Sequence, residues 1–224
     1  MTEGVEMQEM TLKSFFKGVL AEKYRPKYLD EVVGHRQVVK ELKKCVEAGD
    51  IPHLLFYGPP GVGKTSLAYA VAYELLGEDG VLADFIELNA SDDNGIDTVR
   101  TKIKRFCSTI PLFSKLRIIL LDEVDYTTKE FQAALRRTME KYYTARFILT
   151  ANEVKNISDA IKSRCKLIEL EKLDLFDIKD RLRWIANVEG IEVSDSDLYV
   201  IADESDGDLR SAINKLQMLK GRRM

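Results

Sequence analysis

Gly58-Pro59-Pro60-Gly61-Val62-Gly63-Lys64-Thr65 constrains this chain more than any other segment. The apolar run Leu54-Leu55-Phe56-Tyr57 precedes it and a helix-like stretch follows. That is G-x-x-x-x-G-K-[ST] in a context of strand, turn and helix. Glycines let backbone N–H groups converge on phosphate oxygens where a side chain would block the approach. Lys64 can reach the β- and γ-phosphates, and the Thr65 hydroxyl can ligand Mg²⁺. With Ser66 next in the chain, the stretch Gly58–Ser66 is the expected site for ATP or GTP.

The 224 residues are enough for one large domain, or for a core with a small satellite. Hydrophobic residues are 45% and charged residues 32%, a globular balance, and the formal net charge of -3 gives no overall attraction to nucleic acid. Any DNA contact has to come from a local basic face. Cys45, Cys107 and Cys165 are widely spaced, and with only His35 and His53 no zinc site suggests itself. The thiols read as reduced. The sequence shows no signal-peptide pattern and no apolar run of membrane-spanning length. The expectation is a soluble intracellular protein with no membrane partner, cytoplasmic in a prokaryote or nuclear in a eukaryote.

From about residue 53 to 170, short apolar runs alternate with amphipathic stretches. His53–Tyr57, Asp84–Leu88, Leu116–Leu121, Arg146–Thr150 and Lys166–Leu170 read as five strands. Leu67–Leu76, Ile96–Phe106, Phe131–Tyr142 and Ile157–Ile161 carry apolar residues at helical spacing. The alternation predicts an α/β fold, a five-stranded parallel sheet covered by helices, with ligands at the carboxyl ends of the strands. Beyond residue 170, Leu175–Val188, Asp195–Ala202 and Asp208–Leu219 read as three helices of a small lid, with capping residues at Ser194-Asp195 and Asp206–Asp208. The expected domains are a tail over 1–20, a nucleotide-binding core over 21–170 and a helical lid over 171–224.

Ile118–Leu121 is a buried strand that delivers Asp122 and Glu123 at its end. Beside a phosphate-binding loop, the first carboxylate would hold Mg²⁺ and the second would polarise an attacking water. Two acids at that place could also be an ordinary helix start. Asn152 follows the next strand, where an amide could orient the water, although by itself it reads as a solvated loop residue.

Six motifs occur in one order: Glu22–Pro26, Asn89–Asp92, Leu121–Asp125, Ala134–Glu140, Ser163–Cys165 and Gly207–Arg210. Together they resemble the small subunits of replication factor C, the sliding-clamp loader of archaea and eukaryotes, over roughly residues 21 to 220. The resemblance implies an AAA+ core and lid, ATP and Mg²⁺, and DNA-stimulated hydrolysis in a hetero-oligomer. The partners it implies are other loader subunits, the sliding clamp and the backbone of primer–template DNA. Arg25 and the neighbourhood of Val33 would contact the nucleotide, Asn152 would be the first sensor and Arg210 the second. Asn89 would be a switch restraining Glu123 until DNA binds. Arg164 would be an arginine finger entering a neighbour's site.

The implied DNA face carries Asn94, Arg100, Lys104 and Arg136, with a solvated helix face as the alternative for Lys102 and Lys104. Asn94 stands where the family commonly has arginine. Leu112 and Phe113 lie in a stretch that touches the clamp in the family, and they could equally fold back on the core. Leu12, Phe15 and Phe16 resemble a clamp-binding peptide, with docking on their own domain as the alternative. The family's usual tryptophan before Glu22 is absent, and the helical collar that follows the lid in family members is not in this sequence. A clamp-tethered nucleotide switch that never loads the clamp is the competing reading. Another DNA-remodelling AAA+ motor is a third, and the Glu22–Pro26 and Ser163–Cys165 motifs count against it.

Overall fold

The structure is a computed structural model that describes residues 19–91, 97 and 99–220. It has two compact units, Pro26–Glu171 and a second one built from Lys172 onward together with the segment ending at Arg25.

The larger unit is organised by strands β1 (His53–Tyr57), β2 (Phe85–Asn89), β3 (Arg117–Asp122), β4 (Ala145–Ala151) and β5 (Cys165–Glu169). They pair in the order β2-β3-β4-β1-β5, every pair parallel. Each expected strand is present within a residue of its expected bounds. Side chains alternate across the sheet, so Leu54, Phe56, Ile118 and Leu120 enter one core layer while Leu55, Ile119 and Leu121 enter the other. The first layer is covered by α2 (Arg36–Glu47) and α3 (Lys64–Asp84), the second by α5 (Lys129–Lys141) and α6 (Asp159–Lys162). Near-continuous apolar runs, rather than alternating ones, are what a sheet buried on both faces requires.

Three local features depart from the sequence reading. Helix α2 went unread, although Val38, Val39, Leu42 and Val46 repeat at helical spacing and pack on the first layer. Helix α3 begins at Lys64 and runs past Leu76 to Asp84, with a break at Gly77 (φ 72°, ψ 174°). In place of one regular helix over Ile96–Phe106, the described part is a wide π-type turn, Val99–Ile103, followed by α4 (Lys104–Ser108).

The smaller unit holds α7 (Leu175–Glu189), α8 (Asp195–Glu204) and α9 (Leu209–Leu219), the three expected lid helices. Ser194 and Asp197 form a capping box at the start of α8, and Asp208 accepts from the Ser211 amide at 2.8 Å to start α9. A short α1 (Leu20–Lys23) packs in this unit, not in the core where the sequence reading put residues 21–25. The Leu20 amide donates to Gln217 Oε1 at 2.8 Å, and the Tyr24 hydroxyl donates to Glu189 at 2.6 Å. Hydrogen bonds from Lys220, Lys23 and Tyr24 pull the Glu189 carboxyl down to about 2. Burial pushes the Cys107 and Cys165 thiols up to about 12, which keeps them un-ionised.

His53 at the start of β1 makes the core sensitive to acid. Its Nδ1 accepts from the Phe147 amide at 3.1 Å, and burial, helped by the charge of Arg146, lowers its pKa to about 4. A base that is harder to protonate when folded contributes stability above its unfolded pKa, and that contribution is lost as pH falls from about 6.5 towards 4. Unfolding free energy should therefore drop by about 3 kcal/mol across that window through His53 alone. Urea titrations of wild type and His53→Gln at pH 7 and 4.5 check this, and equal pH slopes would refute it.

Candidate active site

The glycine loop joins β1 to α3 at the carboxyl edge of the sheet. Gly58 has φ 144°, and a Cβ there would lie 2.0 Å from the Leu170 carbonyl oxygen, so no other residue fits where the chain leaves β5. Gly63 caps α3 at φ 99°, in open space. This turns the first-turn amides of a long helix towards the loop, the arrangement that favours phosphate. His35, which the sequence reading did not single out, ties the segment containing Val33 to this loop through a 2.9 Å contact between Nε2 and the Val62 carbonyl. Its signal is a left-handed φ of 46° at the N-cap of α2, which sequence does not display.

The Lys64 ammonium is buried among the Gly58 and Pro59 carbonyls, both at 2.7 Å, and Asn152 Oδ1 at 2.9 Å. The Thr65 hydroxyl lies 3.1 and 3.3 Å from the two Asp122 oxygens. The loop after β1, the acid ending β3 and the amide after β4 thus meet at one place. A hydroxyl beside a carboxylate, both next to a phosphate-type cradle, is the oxygen donor set that Mg²⁺ uses, so the residues fit that ion.

Glu123 adopts a left-handed conformation (φ 58°, ψ 44°), uncommon for a residue with a side chain. Thr150 holds it there. Its hydroxyl accepts from the Glu123 amide at 3.0 Å and donates to Asp122. Asp125 acts similarly on the other side, accepting from the amides of Asn152 and Glu153 at 3.1 and 3.2 Å. Neither Thr150 nor Asp125 was singled out from sequence, because both support other residues. Thr150→Val keeps the shape and removes the hydroxyl, leaving the half-buried Glu123 amide without this acceptor. We expect about a tenfold lower kcat, unchanged nucleotide affinity, and recovery in Thr150→Ser. Separate measurement of kcat and nucleotide Kd tests this, and wild-type kcat in Thr150→Val would exclude the role.

The remaining expected site residues fall in several places. Strand register sets Asn89 opposite Asp122, and its Oδ1 accepts from the Ser91 amide and hydroxyl at 3.0 and 2.8 Å. Arg164 lies before the first residue of β5, at the amino edge of the sheet. The length of β1, about 16 Å, therefore separates it from its own glycine loop. It pairs with Glu140 and donates to the Ala160 carbonyl at 2.6 Å. Arg136 is half-buried and lines a cleft of about 700 Å³ with Asp125, Gln132 and Ser158. Lys104 is half-buried, whereas Leu112 and Phe113 project outward, 72% and 66% exposed, instead of folding back. Arg25, paired with Glu22 at 2.7 Å, and the exposed Arg210 belong to the smaller unit. Leu12, Phe15, Phe16, Asn94 and the Arg100 side chain lie outside the described residues.

Residues 54–172 match the ATPase family associated with various cellular activities (AAA). The chain belongs to this family. In this AAA ATPase, residues 180–220 also match the RCF1/5-like AAA+ ATPase lid domain. It is similar to proteins named replication factor C small subunit, 48% identical over 198 residues in Thermofilum pendens and 49% over 201 residues in Methanothermobacter thermautotrophicus. Those matches cover 88% and 89% of this chain but 61% and 62% of the relatives, so the AAA ATPase spans less than two thirds of their length. Among solved structures, the Thermotoga maritima RuvB Holliday junction branch migration motor has a TM-score of 0.73 at 23% identity, covering 87% of this chain and 64% of that one. That likeness shows the AAA+ fold. Among the described residues, no helix is long and apolar enough to cross a membrane.

Proposed function

We propose that this chain binds ATP with Mg²⁺ and hydrolyses it as one subunit of a hetero-oligomeric loader that places a sliding clamp on primer–template DNA. The observation that carries the chemistry is the meeting of Lys64, Thr65, Asp122 and Asn152, with Glu123 fixed beside them. The assignment to a clamp loader rests on the relatives' name and on the RCF1/5-like lid.

Mg²⁺, held by Thr65 and Asp122, would neutralise phosphate charge. Lys64 binds the outer phosphates from the buried end of the loop, with Gly58–Ser66 around it. Glu123 takes the proton of the attacking water, while Asn152 orients that water and the terminal phosphate. Asn89 restrains Glu123 in the absence of DNA. Arg25 and Val33 contact the nucleotide, and Arg210 senses it from the lid. Arg164 acts on the site of a neighbouring subunit, since its own lies at the far edge of the sheet. Arg100, Lys104 and Arg136 track the DNA backbone, a contact that weakens with salt and carries no sequence information. Leu112 and Phe113 touch the clamp, with Leu12, Phe15 and Phe16 as a second clamp contact.

ATPase assays with and without clamp and primed DNA, on the chain alone and mixed with candidate partner subunits, test this reading. Stimulation only in the complete mixture supports it. A monomer that binds clamp through Leu12, Phe15 and Phe16 and shows no DNA-stimulated turnover replaces it with a clamp-tethered switch.

A further inference from the structure

The loop from Ser108 to Ser114 connects α4 to β3 and exposes Ile110 (84%), Leu112 (72%) and Phe113 (66%). Single exposed apolar side chains are ordinary, but three within four consecutive residues are not. Beneath them lie two charged residues that are almost completely buried, Asp84 (0% exposed) and Arg117 (5%). Asp84 accepts from the amides of Leu112 (2.9 Å), Phe113 (2.9 Å) and Ser114 (3.1 Å). Arg117 donates from Nε to the Thr109 carbonyl at 3.0 Å and from Nη2 to the Ile110 carbonyl at 2.8 Å. The two side chains face each other at 3.6 Å, and the guanidinium stacks 4.4 Å over the Phe106 ring. Burial raises the cost of ionising Asp84, yet the loop amides outweigh it and hold the carboxyl below its usual range.

Five of the six residues from Thr109 to Ser114 thus have a backbone group fixed by one buried pair. Such pairs are weak contributors to stability, because desolvating two charges offsets most of their attraction. What this pair determines is the shape of a loop. We infer that Asp84 and Arg117 are positioning residues that preset Thr109–Ser114, so that Ile110, Leu112 and Phe113 enter an apolar pocket of the sliding clamp already in their bound shape. This rests on the clamp-loader reading above and adds the device that sets the affinity of the contact. Ordering such a loop before association removes an entropic cost from binding.

Two features select the occupant. Ser108–Ser114 contains no basic residue, so it does not suit a phosphate backbone. The loop ends where β3 begins, at the amino edge of the sheet, so a partner seated there leaves the nucleotide loop untouched. It is also about three strand spacings, roughly 14 Å, from β5, whose start carries Arg164, the residue assigned to contacts between subunits.

The test uses the full chain and the sliding clamp of the same organism. Leu112→Ser/Phe113→Ser should weaken clamp binding about a hundredfold. Asp84→Ala should weaken it about tenfold with nucleotide affinity unchanged, and Asp84→Asn, which keeps an acceptor oxygen, should restore it. The amides of Leu112–Ser114 in the wild type should exchange with solvent far more slowly than unstructured chain, despite the exposed side chains. Wild-type clamp affinity in Asp84→Ala would overturn the inference, as would rapid exchange at those amides. Arg117→Met gives the same readout if Asp84→Ala does not fold. Clamp affinity that survives Leu112→Ser/Phe113→Ser, with self-association altered instead, would overturn the choice of occupant. A wild-type chain with slowly exchanging loop amides and no clamp binding would refute the clamp reading while leaving the preset loop standing.

Discussion

Glu123→Gln should bind ATP as tightly as the wild type and turn it over about 10²–10⁴ times more slowly, the range expected when a positioned general base is lost. The argument starts from the backbone. Glu123 sits in a left-handed conformation held by the Thr150 hydroxyl, at the end of a strand buried on both faces. Glutamine has the same shape and keeps the amide that Thr150 holds, so the substitution removes basicity and little else. Lys64 and Thr65, which would carry nucleotide binding, are connected to Asn152 and Asp122, and the substitution alters neither of those partners. Separate Kd and single-turnover measurements should therefore show an unchanged Kd and a collapsed rate. Turnover at the wild-type level would take the base away from Glu123, and a parallel loss of binding would mean that the substitution disturbed Asp122.

How much of this was legible in the sequence depended on whether a residue's role is local. Strand positions were readable because a sheet covered on both faces needs uninterrupted apolar runs, and Leu54–Tyr57, Ile118–Leu121 and Phe147–Leu149 are such runs. The Gly58–Thr65 loop was readable because its glycines and lysine act at fixed spacing along one segment. Thr150, Asp125 and His35 were not. Each works through a contact with a residue at least 27 positions away, and only the tertiary fold brings them there. The Asp84–Arg117 pair escaped for the same reason, being 33 residues apart in sequence and 3.6 Å apart in space. Helix α2 escaped for another, since its apolar spacing at Val38, Val39, Leu42 and Val46 was present but stands before the first strand, outside the alternating pattern. The sequence reading placed residues 21–25 with the core, because nothing in that segment itself announces that Glu189 will hold Tyr24.

Arg164→Ala should abolish assembly-dependent turnover, by about 10³–10⁵-fold if the guanidinium stabilises charge on a transferred phosphoryl group. Position argues for action on another chain. Arg164 precedes β5 at the amino edge of the sheet, whereas the glycine loop leaves β1 at the carboxyl edge. No rotamer crosses a strand's length, so the arginine has to serve a neighbour's site or none. Its charged partner within the chain is Glu140, with side chains 33% and 44% exposed, beside the hydrogen bond to the Ala160 carbonyl. An ion pair that open contributes at most about 1 kcal/mol, so removing it should leave folding and nucleotide affinity intact and keep the kinetic result free of a stability artefact. Mixing separates the mechanisms further. A chain carrying Arg164→Ala with an intact site should regain turnover beside a Glu123→Gln chain that still offers its arginine, because the two defects then fall on different sites. If the pure Arg164→Ala assembly hydrolyses ATP at the wild-type rate, Arg164 is not the finger. If the mixture stays inactive although both chains assemble, action in trans is excluded.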